Sequence, residues 1–511
     1  MKIMMVSSEA VPFAKAGGLA DMVSSLSLAL AKQGHEVKIT IPRYYCVDRT
    51  GLKALEGPMG VPAGNFQTGN SPPGNYAPAG EEWCKVYSSA LPGSSRKNPV
   101  EIFFIDHENF FGREGLYGSP AEPDYIDNPR RFSFLCRAVF QLCRKIDWYP
   151  DVLHSHDWHA AMVPVYLKFA ERREKFGKTV SVFTVHNLGY QGVYYRENFN
   201  YTGLGWENFY IAGFEDWNMM NFLKAALWSA DSLNTVSRKY AEETKTPAYG
   251  SRLDGVLSYR SADYRGILNG IDTNIWNPKK DKLIPETYSC DSLGGKAKAK
   301  EALQREFGLA IDPKIPVFGM ISRLTEQKGV GELFGPGYGS MYSICRDMNL
   351  QMVLLGTGAS WCENEIRSLS SRLPNFGAYI GYSEKLSHLI EAGSDFYLMP
   401  SRYEPCGLNQ MYSLNYGAIP IVRNTGGLAD TVENYNEETG AGTGFMYDDP
   451  TPQAIYNTVG WALWAWYNRR DHIEKMRIRG MKKDFSWAAS AKQYAEMYGW
   501  TLDKWGFRNK K

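Results

Sequence analysis

The chain has 511 residues, 44% of them hydrophobic and 22% charged, and its 57 Lys and Arg against 55 Asp and Glu leave a net charge of +2. That length exceeds one ordinary hydrophobic core and predicts two large α/β domains, while the near-neutral balance gives no sign of a nucleic-acid surface and no apolar run is long enough to span a membrane. The eight cysteines are scattered without a C-x-x-C pair, which points to reduced thiols in a cytosol and away from zinc or disulfide frameworks.

Met1-Lys2-Ile3-Met4-Met5-Val6 runs straight into a strand and meets polar residues too soon for a signal peptide, so no cleaved leader is expected. A strand over 2–7, a helix over about 19–33 and a strand over 37–41 make a βαβ unit, with Leu19, Met22, Val23, Leu26 and Leu30 on one helix face and Gly34 as its stop. Residues 46–100 carry Gly-Asn, Ser-Pro-Pro-Gly and Pro-Ala-Gly turns and read as an irregular or hairpin-rich excursion. Strands at 100–105, 152–154, 180–185 and 233–236 then alternate with helical stretches, the order of a parallel sheet. A short strand at 266–269, a turn at 270–272 and a charged helix at 296–308 lead to a second series of strands at 316–322, 351–356, 378–381, 395–399 and 419–422. The aromatic segment from Trp487 onward reads as a helix packing back across the domain junction. In two doubly wound domains, ligands bind beyond the carboxyl ends of the strands, around a central crevice.

The chemistry-bearing residues sit at those strand ends. Gly17-Gly18-Leu19-Ala20-Asp21 follows the first strand and returns as Gly426-Gly427-Leu428-Ala429-Asp430 after the last. A Gly-Gly turn lets backbone approach a ligand, and the free N–H groups of the following helix attract a phosphate; a turn shared by chance between two αβ units would look the same. In Ser322-Arg323-Leu324-Thr325-Glu326-Gln327-Lys328-Gly329, a planar cation and a mobile one are expected at a helix start, suited to a diphosphate whose charge grows as a bond to it breaks. In Pro400-Ser401-Arg402-Tyr403-Glu404-Pro405-Cys406-Gly407, Pro405 can open a helix and Glu404 either caps it or accepts hydrogen bonds from sugar hydroxyls. His154-Ser155-His156-Asp157-Trp158-His159 and Thr184-Val185-His186-Asn187 offer hydroxyl partners and, in Trp158, an apolar face for a sugar. The metal-site reading of the histidines is disfavoured, because no carboxylate and histidine at helical spacing complete a ligand set.

These stretches, with Lys15 ahead of the first glycines, Asn269-Gly270-Ile271-Asp272, and Thr425 ahead of the last, together resemble the bacterial glycogen synthase and plant starch synthase family, in family order over nearly the whole chain. The resemblance implies an α/β GT-B architecture: two Rossmann-like doubly wound parallel-sheet domains facing a central cleft. Residues 1–267 would form the acceptor-side starch synthase domain, 268–486 the nucleotide-sugar donor domain, and 487–511 the returning helix. It implies transfer of glucose from ADP-glucose to the non-reducing 4-hydroxyl of an α-1,4-glucan, with retention at the anomeric carbon, no cofactor and no metal. Carried onto matching positions, His186, Arg323, Lys328 and Glu404 would be catalytic; Lys15, Gly17, Gly18, Asn269, Cys406, Thr425, Gly426 and Gly427 would bind the donor; Asp21 and Asp157 would lie on the acceptor and glucosyl side.

Two positions depart from the wider pattern. Tyr412 stands where many retaining relatives of this architecture carry a second glutamate, which leaves ribose binding unassigned, and Ala20 replaces a common glycine. The 14% aromatic content suits a polysaccharide enzyme, with Tyr44, Tyr45, Tyr190, Tyr194 and Tyr195 as acceptor-side candidates. A thiol reagent at Cys406 would act by bulk near the donor. A nicotinamide dehydrogenase fits poorly, since the second strand ends in Pro42-Arg43 without an acidic residue. A two-lobed sugar-binding protein, without turnover, and a glucan phosphorylase, with its pyridoxal chromophore, remain as alternatives. Bacterial cytoplasm is the expected location, with a mature plastid form as the alternative; no membrane or nucleic-acid partner is expected, and the sequence gives no oligomeric state.

Overall fold

Ile3-Met4-Met5-Val6 is apolar at every position, the pattern of a strand covered on both faces, and in the computed structural model it lies in the interior of a mostly parallel sheet. The structure describes residues 1–64 and 80–508. The described chain divides into two units, one from Met1–Val236, Ala241–Ile267 and the segment from Trp487 onward, the other from Ser237–Tyr240 and Leu268–Ser486.

The first unit holds β1 (Lys2–Val6), β2 (Glu36–Pro42), β3 (Lys53–Ala54), β4 (Met59–Ala63), β5 (Gly80–Ala90), β6 (Glu101–Asp106), β7 (Val152–His156) and β8 (Val180–Val185). There follow β9 (Val193–Tyr195), β10 (Glu215–Asp216), β11 (Met219–Asn221), β12 (Ser232–Thr235) and β13 (Tyr264–Gly266). The main sheet runs β13-β12-β8-β7-β1-β2-β6-β5-β3, parallel from β13 through β6, and β9 to β11 form a small antiparallel sheet. The excursion expected at 46–100 contains more order than its turns suggest. β5 joins the edge of the sheet antiparallel to β6, and β3 and β4 pair back onto β5. Cys84, Val86 and Ser88 alternate inward along β5, a period-2 signal interrupted by charged residues facing out. The Gly-Asn, Ser71-Pro72-Pro73-Gly74 and Pro78-Ala79-Gly80 turns lie outside the described residues but for Gly64 and Gly80.

The second unit is built on β14 (Val317–Leu324), β15 (Gln351–Gly358), β16 (Phe376–Ile380), β17 (Phe396–Met399), β18 (Ile419–Arg423) and β19 (Phe445–Tyr447), all parallel in the order β16-β15-β14-β17-β18-β19. β14 and β15 each run two residues past their expected ends, because their ladder continues through Arg323↔Thr357 and Leu324↔Gly358. The strand expected at 266–269 ends at Gly266 instead: β13 pairs with β12 only as far as Thr235↔Gly266, and the chain passes into the second unit after Ile267. The charged helix spans Gly294–Glu306, two residues ahead of its expected bounds. β19 has no counterpart among the expected strands.

Both sheets reverse strand order once, between β1 and β7 and between β14 and β17. Connections diverge there, so the loops beyond these strands leave a gap where a ligand can sit. The last helix, Trp487–Arg508, lies in the first unit against the helix Gly18–Lys32 and the sheet. Tyr498 Oη reaches His154 Nδ1 at 2.7 Å and Asn234 Nδ2 donates to Tyr494 Oη at 3.0 Å.

Candidate active site

In the first unit the loop from Ser7 to Gly17 leaves β1 and turns into the helix Gly18–Lys32, whose N-cap, Gly17, has no side chain to offer. The buried carboxylate of Glu9 binds the turn just ahead of the helix instead: Ala16 and Gly17 N–H donate to Glu9 Oε2 at 2.6 and 2.9 Å. One of the two N–H groups expected to meet a diphosphate is therefore already bonded. A Cβ at Gly17 or Gly18 would have no atom within 4 Å, so nothing in the fold itself demands glycine there. Lys15 Nζ pairs with Asp21 at 2.8 Å in a solvent-facing contact, which puts these two residues of the motif together rather than on separate tasks.

Beyond β7, Asp157 holds a positive φ of 55° with ψ near −179°, a conformation an aspartate adopts only against a cost of about 1–3 kcal/mol. Its reward is a carboxylate that accepts the backbone N–H of His186 at 2.7 Å, joining the carboxyl ends of β7 and β8. His156 Nδ1 approaches His186 Nε2 at 3.3 Å. Burial lowers the His186 pKa to about 3 and pushes Asp157 up to about 7. His186 is therefore a neutral hydrogen-bonding imidazole at physiological pH, and Asp157 is poised to hold or release a proton.

Two sequence expectations fail here. Trp158 presents no sugar-binding face: it is buried among Phe132, His159, Tyr194 and Phe222, and a Cβ at Gly192 would come within 2.5 Å of its ring. Tyr44 is likewise fully buried, and Tyr194 packs on Trp158, whereas Tyr45, Tyr190 and Tyr195 stand exposed. The histidines do not converge on a metal. His154 is sealed between Thr184 Oγ1 and Tyr498 Oη, and among the described residues no three His, Cys, Asp or Glu are grouped to hold an ion.

In the second unit, Arg323 and Lys328 do not stand at a helix start as expected. Arg323 is the penultimate residue of β14, exposed, and Lys328 ends the 3-10 turn Glu326–Lys328 ahead of the short helix Val330–Phe334. Gly329 fixes that turn: with φ +74° and its Cα against the loop after β17, any Cβ would meet Pro400 O at 2.1 Å. The turn thus brings Lys328 Nζ to Glu404 Oε2 at 2.5 Å, and Ser401 Oγ donates to the same oxygen at 3.0 Å. Pro405 opens no helix, since the next one, Asn409–Tyr416, begins four residues later. Glu404 is accordingly not a cap; its Oε2 is committed to Lys328 and Ser401.

The second Gly-Gly pair works differently from the first. Gly426 has φ +46°, and Cβ atoms at Gly426 and Gly427 would lie 1.9 Å from Glu404 O and 2.0 Å from Cys406 O. Gly427 N–H donates to Glu404 O at 3.0 Å. These glycines therefore lock the loop bearing Glu404 onto the helix Gly426–Thr431, whose N-cap is the buried Thr425. Asp430 caps another helix, accepting Arg238 and Lys239 N–H at 2.5 and 3.0 Å. Asn269 is buried with Oδ1 lacking a hydrogen-bond partner, and its backbone faces the Cys406 thiol, which burial pushes up to about 12. Tyr412, at the position of the second glutamate, stacks on Trp276 at 4.0 Å, and Trp276 stacks in turn on His388 at 4.1 Å.

Sequence reasoning missed Glu9, Ser401 and Tyr117, whose hydroxyl donates to Glu9 Oε1. Glu9 did carry a signal, as an acidic residue three positions beyond an all-apolar strand.

Two α/β units, one sheet mostly parallel and the other wholly so, with polar and charged side chains at both switch points, fit a glycosyltransferase of the GT-B class, an assignment carried by the relatives. Residues 2–259 match the family model of the starch synthase catalytic domain, and residues 304–479 that of glycosyl transferases group 1. A glycogen synthase of Treponema denticola is 59% identical over 504 residues, covering 99% of both chains, and glycogen synthase 1 of Geobacter metallireducens is 44% identical over 508 residues, covering 99% of this chain and 97% of that one. The catalytic domain of starch synthase IV from Arabidopsis thaliana, solved bound to ADP and acarbose, superposes with a TM-score of 0.84 at 30% identity, covering 98% of this chain and 99% of that one. Sucrose-phosphate synthase from Thermosynechococcus elongatus, at 15% identity and a TM-score of 0.55 with 98% and 99% coverage, shares the fold. The chain belongs to the glycogen and starch synthase family. It is a glucan-elongating glycosyltransferase.

Proposed function

We propose that the enzyme takes glucose from ADP-glucose and adds it to the non-reducing 4-hydroxyl of an α-1,4-glucan with retention at the anomeric carbon, in the cytoplasm and without cofactor or metal. The observation that carries this reading is the Lys328–Glu404 pair, a cation and a carboxylate held side by side at the switch point of the second sheet. Lys328 and Arg323 neutralise the leaving diphosphate, and Glu404 holds glucosyl hydroxyls while keeping Lys328 in place. Lys15, Gly18 and the first turn of the following helix, with Asn269, Cys406 and Thr425, serve the donor, and Gly426 and Gly427 serve it by fixing the loop that carries Glu404 and Cys406. Asp21 and Asp157 serve the acceptor and glucosyl side. Neutral His186 hydrogen-bonds the sugar at the reacting centre without adding charge to it.

In the reaction the C1–O bond to the β-phosphate breaks and a bond from the acceptor O4 to C1 forms on the same face. The acceptor proton passes to the departing phosphate oxygen. A double displacement would need a nucleophilic carboxylate at C1; the reading given to Glu404 is instead to hold hydroxyls, with its Oε2 bound by Lys328 and Ser401. The alternative donor is UDP-glucose; the ADP in the starch synthase IV complex favours the adenine nucleotide.

The test is glucose incorporation into glycogen from each donor, with a chelator present and with Lys328→Ala as control. Incorporation from ADP-glucose that survives chelation and collapses in the variant supports the proposal. Incorporation only from UDP-glucose, or only without chelator, overturns the donor or the metal-independent part respectively. A trapped glycosyl-enzyme ester would sink same-face attack.

A further inference from the structure

Glu9 belongs to none of the residues given a role above, yet it is the most heavily bonded side chain of the loop after β1. Its Oε2 receives Ala16 and Gly17 N–H, and its Oε1 receives the Tyr117 hydroxyl. Its own N–H donates to Ser7 Oγ at 3.1 Å, and Ser8 Oγ lies 2.8 Å from Tyr117 Oη. Tyr117 reaches further: its ring stacks on His159 at 4.2 Å, within the loop after β7 that carries Asp157. Glu9 is 3% exposed, so its charge is held by these bonds and by little water.

An acceptor-only anion placed on two successive backbone N–H groups does what a bound phosphate oxygen does at a glycine-rich turn. The fold gives Gly17 no other reason for its shape, since no side chain caps the helix there and a Cβ would meet no atom within 4 Å. We infer that Glu9, braced by Tyr117, is a positioning residue that supplies the internal anion for Ala16 and Gly17 N–H. It thereby fixes the loop from which Lys15 and the N–H of Gly18 reach the donor diphosphate. This rests on the donor-side placement of Lys15 and Gly18 proposed above. Without the carboxylate the loop loses its anchor at the two residues after Lys15, while Asp157 and His186, at the ends of β7 and β8, keep their own bonds.

The experiment uses the full chain and measures ADP affinity by calorimetry, glycogen affinity by affinity electrophoresis, and the KM of donor and glucan separately. Glu9→Ala is expected to weaken ADP binding and raise the donor KM roughly tenfold or more, with glycogen affinity changed by less than about twofold. Glu9→Gln keeps one carbonyl oxygen for the two N–H groups but not the charge, and should recover only part of that loss. Tyr117→Phe keeps the stack on His159, loses only the hydroxyl, and should fall between. Lys15→Ala reports the underlying placement. If Lys15→Ala weakens ADP and Glu9→Ala and Tyr117→Phe do not, this inference is overturned and the donor-side placement stands. If Lys15→Ala also leaves ADP affinity unchanged, the placement fails and the inference with it. Equal losses of ADP and glycogen affinity in Tyr117→Phe would reduce Glu9 to a general structural role and likewise overturn it. Should Glu9→Ala not fold, Tyr117→Phe and Glu9→Gln decide by the same criteria.

Discussion

Substituting alanine into each copy of the repeated glycine motif should break different things. At Gly427 a Cβ would sit 2.0 Å from Cys406 O and 2.5 Å from that residue's C and Cα, all backbone atoms that no rotamer change can move aside. Relief requires a shift of about 1 Å in the loop carrying Glu404, at an overpacking cost of about 1–3 kcal/mol. The Gly427 N–H to Glu404 O bond, 3.0 Å long, is strained by the same shift, adding about 1 kcal/mol, against up to about 1 kcal/mol regained from helix propensity. A net loss of about 1–4 kcal/mol corresponds to roughly 2–16 °C in the melting of the second unit. At Gly18, by contrast, no atom lies within 4 Å and the residue opens a helix. Alanine there should leave stability unchanged or raise it by up to about 1 kcal/mol, while the donor KM rises because the new methyl points into open space at the helix start. Scanning calorimetry of both variants, with donor and glucan KM measured in parallel, checks this. A Gly18→Ala variant that melts early, or one with a wild-type donor KM, would refute the assignment of open glycines to the ligand and crowded ones to the fold.

Trp158→Phe should cost about 1–3 kcal/mol through loss of packing against Phe132 and Phe222, with unchanged glycogen affinity in the folded fraction; a selective loss of glucan binding would restore a sugar-stacking role. Iodoacetamide at pH 8 should modify exposed Cys46 well before Cys406, whose thiol at about 12 leaves on the order of 10⁻⁴ as thiolate, and peptide mapping reads the order. Burial holds His154, His156 and His186 below their free value of 6.5, so below that pH the unfolded chain takes up protons that the folded one refuses, and stability falls as pH drops toward 3. Asp157, raised to about 7, works the other way, its folded form favouring the proton, so stability rises as pH falls from 7 toward 4. His159 is held low in the same way and Glu391 is raised to about 8, so four protons against two leave a net fall of about 2.7 kcal/mol per unit of decreasing pH between roughly 4 and 6. Urea midpoints across that range measure it; a flat profile would show that these imidazoles are solvated.

Local chemistry made much of this protein legible in one dimension. Uninterrupted apolar runs such as Ile3-Met4-Met5-Val6 announce strands covered on both faces, the periodicity of Leu19, Met22, Val23, Leu26 and Leu30 a helix lying on a sheet, and their alternation a parallel topology. The site motifs stand at strand ends because side chains there are free of the ladder, so His186, Arg323, Lys328 and Glu404 were visible as candidates and as family signatures. What one dimension hides is whatever another segment supplies. β5 is a strand because β6 offers it an edge, its alternation being masked by Glu81, Glu82 and Lys85. Pro405 fits a helix start by its ring geometry, yet the backbone of the loop it belongs to is packed against Gly426 and Gly427, more than twenty residues on. Trp158 looks like a sugar platform until Gly192 and Phe222 close over it. Glu9 looks like a surface charge until Ala16, Gly17 and Tyr117 surround it. Identical Gly-Gly-Leu-Ala-Asp stretches serve open approach in one unit and tight interlock in the other, because a glycine records only that a Cβ is unwelcome. What excludes it, a ligand or a neighbouring carbonyl, is decided by the packing around it.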